Sequence, residues 1–154
     1  MGFLDKLKGA VNAVTGGSAK VTMDFQPATA FPGDAVLAKI SVQSTGAEVK
    51  SKGVFVDLLG TEHVNIKHNA ATGVNQDVNV SKPSVEQSFQ LAPDFVLAAN
   101  ETKLFEGTIT LPSNLQPSYQ GPFARHEWTI RGRVEAFGND PDSGFKPIRI
   151  GLKS

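Results

Sequence analysis

From residue 19 to residue 152 apolar side chains recur at every second position, in short rows broken by Gly and Pro. No other feature constrains the fold as strongly. The rows are Val21, Met23, Phe25; Val36, Ala38, Ile40, Val42; Val54, Val56, Leu58; and Val85, Phe89, Leu91, with Gln87 interrupting. They continue with Phe105, Gly107, Ile109, Leu111; then Trp128, Ile130, Gly132, Val134, Ala136; and finally Ile148, Ile150, Leu152. A period of two marks strands with one buried face. Turn residues separate them: Phe31-Pro32-Gly33-Asp34, Thr45-Gly46, Ala92-Pro93-Asp94, Gln120-Gly121-Pro122 and Gly138-Asn139-Asp140-Pro141. Many short alternating strands predict an all-β, antiparallel sandwich, although barrels share the same cues. Residues 68–82 are polar and rich in Asn and Gly, and are expected to form a long loop.

The first fourteen residues follow a different period. Phe3, Leu4, Leu7, Val11 and Val14 are spaced by three and four, with Asp5, Lys6, Lys8 and Asn12 elsewhere on the wheel. Gly16-Gly17 then supplies a helix stop. The expectation is an amphipathic helix and Gly hinge over 1–17, followed by a sandwich domain over 18–154. Gly9 costs such a helix about 1 kcal/mol relative to Ala, and a helix this short is marginal alone. Its stripe needs a surface: its own sandwich, a partner protein, a second copy, or a membrane reached with the help of Lys6 and Lys8. Phe3, Leu4, Leu7, Val11 and Val14 are therefore the predicted partner or membrane contacts.

A chain of 154 residues suits one domain and buries a sizeable core. Fifteen basic and fifteen acidic side chains cancel, which argues against a nucleic-acid-binding role. The absence of cysteine removes disulfides and thiolate chemistry and fits a reducing, cytoplasmic setting. No run approaches the length of a membrane span, and Lys6 and Lys8 interrupt any signal-peptide core.

Several segments resemble a known family. Phe31-Pro32-Gly33-Asp34 before Val36 resembles the Pro-Gly-acid turn that opens an early strand of arrestin-like domains. Val-Phe-Val-Asp-Leu-Leu-Gly, residues 54–60, is similar to the next core strand of that family. Residues 104–107 and the run from Leu111-Pro112 to Pro117-Ser118-Tyr119 look like its Gly-containing strand and the proline turn after it. Residues 126–136 resemble its long following strand, with Trp128 where Tyr is usual. Bacterial arrestin-like proteins such as the sporulation-control family also begin with a short segment before the first strand, but they are longer. The resemblance implies one immunoglobulin-like sandwich lobe, and it leaves no room for the second sandwich or the regulatory tail of animal arrestins. It also implies a non-enzymatic, protein-binding or scaffolding adaptor whose sheet edges are open to strand addition or self-association.

Candidate chemistry is sparse. His63, His68 and His126 are expected to face solvent on strands, not to converge on zinc. Residues 139–144 carry the oxygen-rich residues of a calcium loop, yet a hairpin turn explains each of them. Ser118 and His126 lie in neighbouring segments without a nucleophile elbow, and no phosphate loop is present. Trp128, Phe105 and Phe89 sit in core registers and are expected inside rather than on a ligand platform. Lys50-Ser51-Lys52 and Arg131-Gly132-Arg133 are expected to be solvated strand faces. The sequence thus predicts no catalytic, cofactor or metal residues and no small-molecule substrate. Beside the binding-module reading stand a peripheral membrane protein held by its helix and a carbohydrate- or small-ligand-binding sandwich.

Overall fold

A computed structural model describes residues 19–68, 71, 73, 75–136 and 140–152. Among these residues ten strands build two facing sheets: β1 (Ala19–Gln26), β2 (Thr29–Ala30), β3 (Ala35–Ser44), β4 (Val49–Ile66), β5 (Val78–Ala92), β6 (Phe95–Leu97), β7 (Thr102–Thr110), β8 (Tyr119–Gln120), β9 (Ala124–Ala136) and β10 (Lys146–Ile150). The smaller sheet has the order β1-β3-β7. The larger runs β2-β10-β9-β4-β5, with β6 beside β4 and β8 beside β9. Every strand pair is antiparallel except β2 with β10.

The alternation in the sequence is the alternation of burial. On β3, Val36, Ala38, Ile40 and Val42 are all buried. On β9, every second residue from His126 to Ala136 is buried. These rows meet Val54, Val56 and Leu58 of β4 and Val21 and Met23 of β1 in a single hydrophobic cluster. At Gly132 the sheets approach closely, since a Cβ there would stand 2.9 Å from Ile40 Cδ1 and 3.4 Å from Met23 Cβ. A bare backbone at that point lets β3 settle onto β9.

Residues 111–118 carry no strand. They bend across one end of the sandwich, with Leu111 and Leu115 buried, and Pro112 and Pro117 suit a segment that cannot pair.

Three expectations are corrected. Residues 68–82 are not one long loop, because β5 begins at Val78 and pairs with β4 down to Ile66↔Val78. The far part of this ribbon projects past the smaller sheet, so both of its faces meet water and its side chains are mostly polar. That composition made a strand read as a loop. His126 is not solvent-facing but 2% exposed, because residues 116–117 lie over it. Leu152 falls beyond β10 and is 76% exposed rather than closing a buried row. Among the described residues there is no α-helix. The helix expected over 1–17 lies outside them, as do Gly138 and Asn139 of the last predicted turn.

Candidate functional site

At the end of the sandwich capped by residues 111–118, β9 places His126 and Trp128 on the inner face of the larger sheet. His126 Nδ1 lies 3.1 Å from the Pro117 carbonyl oxygen, and Nε2 lies 2.6 Å from Ser84 Oγ. A carbonyl can only accept, so Nδ1 carries the proton and Nε2 presents its lone pair to the Ser84 hydroxyl. Two ring contacts fix the imidazole: Tyr119 stacks on it at 5.9 Å, and Trp128 meets it edge-on at 5.1 Å. Trp128 donates its indole N–H to the Gln116 carbonyl at 2.9 Å.

Ser84 reaches this cluster through a bulge. Gly60 pairs with Val85 and Thr61 with Pro83, which leaves Ser84 as the extra residue of β5. Gly60 keeps the path open, because a Cβ there would stand 2.9 Å from both Ser84 Oγ and the Trp128 ring.

The outer face of the same sheet carries a charge network. Asp57, 8% exposed, accepts from Arg131 Nε at 2.8 Å, Arg133 Nε at 2.9 Å and Ser88 Oγ at 2.6 Å. Arg131 also reaches Asp142 at 3.3 Å, and Arg133 reaches Asp140 at 3.6 Å. Phe145 lies under the Arg131 guanidinium and Phe55 under that of Arg133. Burial alone would push the Asp57 carboxyl up. The hydrogen bonds from Arg133, Ser88 and Arg131 outweigh it and hold the group below its ordinary value of 3.8. The Asp57 hydrogen bond in turn raises Arg133. Arg131 and Arg133 are thus half-buried and paired, not the solvated face expected of them.

The third feature is the outer edge of the larger sheet. β5 is 15 residues long and ends the sheet order. Near its start Val78 is 38% and Val80 52% exposed. Pro83 and the bulge divide the strand into two stretches.

The predicted contacts Phe3, Leu4, Leu7, Val11 and Val14 lie outside the described residues. The three histidines do not converge. His63 sits on the outer face between Ser81 Oγ (2.6 Å) and Glu127 (3.3 Å), His126 sits on the inner face, and His68 follows β4. Among the described residues no group of three or more His, Asp or Glu is placed to hold a metal. Trp128 is core, as expected, while Phe89 and Phe105 are partly buried against it. Sequence reasoning paired His126 with Ser118 and missed Ser84, whose position depends on a bulge. It also missed Asp57, though a carboxylate inside the apolar run Val54 to Leu59 is a readable signal of a buried partner.

A three-stranded sheet packed on a larger one, linked through the proline segment, defines an arrestin-like β-sandwich. The crystal structure of Spo0M, sporulation control protein, from Bacillus subtilis has this fold, with a TM-score of 0.62 at 20% identity over 89% of this chain and 51% of that one. The chain therefore spans about half the length of Spo0M. A weaker likeness, TM-score 0.49 at 15% identity, covers 95% of this chain and 36% of the Pseudomonas fluorescens alkylpurine DNA glycosylase AlkC bound to DNA containing an abasic site analog. No protein-family model and no curated protein matches the chain.

Proposed function

We propose that this arrestin-like sandwich is a non-enzymatic binding module that recruits a partner protein by strand addition along the first stretch of β5. The observation that carries this reading is the β5 edge itself. Its residues Val78 to Lys82 close the larger sheet, and Val78 and Val80 stand exposed on the face they share with Val64 and Ile66 of β4. An added strand would pair with the free backbone groups and lay its apolar side chains beside those valines. The two edges of the smaller sheet are less available. On β1 the Met23 carbonyl already accepts from Lys146 Nζ, and β7 faces the β5 flank, where Leu91 fills the space over Gly107. A cytoplasmic setting belongs to the same proposal, supported by the lack of cysteine.

The test compares affinity capture by wild-type chain with capture by Asn79→Pro and Val80→Asp, each first shown to be folded by its Trp128 emission. A partner retained by wild type and lost by both variants supports strand addition. Equal capture by all three sinks it, and so does a concentration-dependent dimer that the same variants abolish, because the edge would then serve self-association.

A further inference from the structure

We propose that Ser84 is an activated nucleophile, with His126 as its general base, that accepts an acyl or phosphonyl group from an activated donor. This goes beyond the binding role and does not depend on it. The hydroxyl is 2.6 Å from Nε2, within the reach a general base needs. The tautomer is the one required, because the Pro117 carbonyl takes the Nδ1 proton and leaves the Nε2 lone pair facing Ser84. Nucleophile, base and a third group that orients the base form the arrangement of serine acyl transfer.

Four elements build this contact. β9 presents the imidazole, the 111–118 segment supplies its orienting carbonyl, the β5 bulge turns Ser84 toward it, and Gly60 leaves the space between them. Bulges recur where a strand must re-aim one side chain toward a site. The two partners also differ in burial as such a pair requires. His126 is 2% exposed, whereas Ser84 is an exposed residue of the edge strand whose hydroxyl turns toward that ring. Ser81, Ser84 and Ser88 share the strand. Ser81 bonds His63 on the outer face, and Ser88 donates to Asp57, so Ser84 alone of the three faces the buried imidazole.

The orienting group is a neutral carbonyl and not a carboxylate, so the imidazolium formed during attack gains less than in a full triad. The donor must therefore carry a good leaving group, such as the phenolate of an aryl ester. In the step, the Ser84 Oγ–C bond forms as the C–O bond to the leaving group breaks. The serine proton passes to His126 Nε2 and from there to the departing oxygen. A fluorophosphonate reacts in the same sense: an O–P bond forms, P–F breaks, and proton and fluoride leave as hydrogen fluoride.

The experiment treats the full chain with a fluorophosphonate probe and maps the product by peptide mass spectrometry. Labelling is expected at Ser84, well above Ser81 and Ser88, absent in Ser84→Ala, and slowed roughly 100-fold in His126→Gln, as loss of a general base predicts. Because His126→Gln can disturb folding, the wild-type chain is also labelled in denaturant, where the preference for Ser84 should vanish. Ser84 labelled no faster than Ser81 or Ser88 in the folded chain would overturn the proposal. So would a preference that persists after unfolding, or one that survives His126→Gln in a folded variant.

Discussion

The Arg133 guanidinium donates to Asp57 from Nε at 2.9 Å while it lies 4.8 Å over the Phe55 ring, so one cation is held by a carboxylate and by an aromatic face. Arg131 repeats the arrangement with the same carboxylate and Phe145. Asp57 is thus the single anion on which two arginines of β9 converge. Its side chain is 12% exposed and that of Arg133 15%, so water screens this pairing far less than it screens a surface salt bridge.

This network makes stability depend on acid. The folded-state pKa of Asp57 lies below its ordinary value of 3.8, so the unfolded chain takes up the proton first as pH falls. The stabilisation is complete above 3.8 and is lost as pH drops through the folded value. Wild type and Asp57→Asn should therefore differ most near neutrality, by about 3 kcal/mol for a carboxylate removed from two part-buried arginines. Urea melts of both proteins at a series of pH values check this. A gap that stays constant down to roughly pH 2 would show that the charge is not what matters.

Trp128 is the only tryptophan and is 1% exposed, so its emission reports the core directly. It should be blue-shifted in the folded state. Trp128→Ala should cost about 3–5 kcal/mol, as large aromatic truncations do. Trp128→Phe keeps most of the packing but strips the Gln116 carbonyl of its donor, and should cost about 1–3 kcal/mol. Equal losses for the two variants in chemical denaturation would mean that the hydrogen bond, not the packing, carries the site.

The sequence was legible wherever period two and burial coincide. The rows Val36 to Val42 and Trp128 to Ala136 show their inner faces because the opposite sheet covers them. The ribbon from Val78 to Lys82 was illegible because no second sheet covers it, so selection for burial never wrote the alternation strongly. His126 was misread for the converse reason. What buries it is residues 116–117 folding back over β9, which strand periodicity does not encode. Ser84 and Asp57 are defined by partners 42 and 74 to 76 positions away, a relation that only the register of β4 with β5 and β9 creates. The arginine pair flanking Gly132 gave no hint that one carboxylate of β4 would claim both.

The close approach at Gly132 yields a sharper test of packing. Gly132→Ala places a methyl 2.9 Å from Ile40 Cδ1, and overpacking of this kind costs about 1–3 kcal/mol. Ile40→Ala removes both that Cδ1 and the Cγ1 that would stand 3.0 Å away and, alone, should cost about 2–5 kcal/mol. In the double variant the smaller side chain makes room for the new methyl, so the combined loss should fall below the sum of the two. Additive losses in a double-mutant cycle would show that the sheets shift apart instead of competing for one volume.

The segment from Asp140 to Gly144 has the composition of a calcium loop, and its chemistry is already committed. Asp142 takes Arg131 on one oxygen and the Gly144 amide on the other, and Asp140 faces Arg133 while it accepts from the Ala136 amide. A cation entering here would have to displace two guanidiniums and be repelled by them as it approached. Millimolar calcium should therefore leave the melting temperature unchanged, since a ligand that binds only the folded state must raise it. Arg131→Ala with Arg133→Ala frees three carboxylates, Asp57, Asp140 and Asp142, on one face of the sheet. That variant should be less stable than wild type and should regain part of the loss when calcium is added. A saturable calcium shift in the wild-type protein would show that the arginines do not hold these carboxylates.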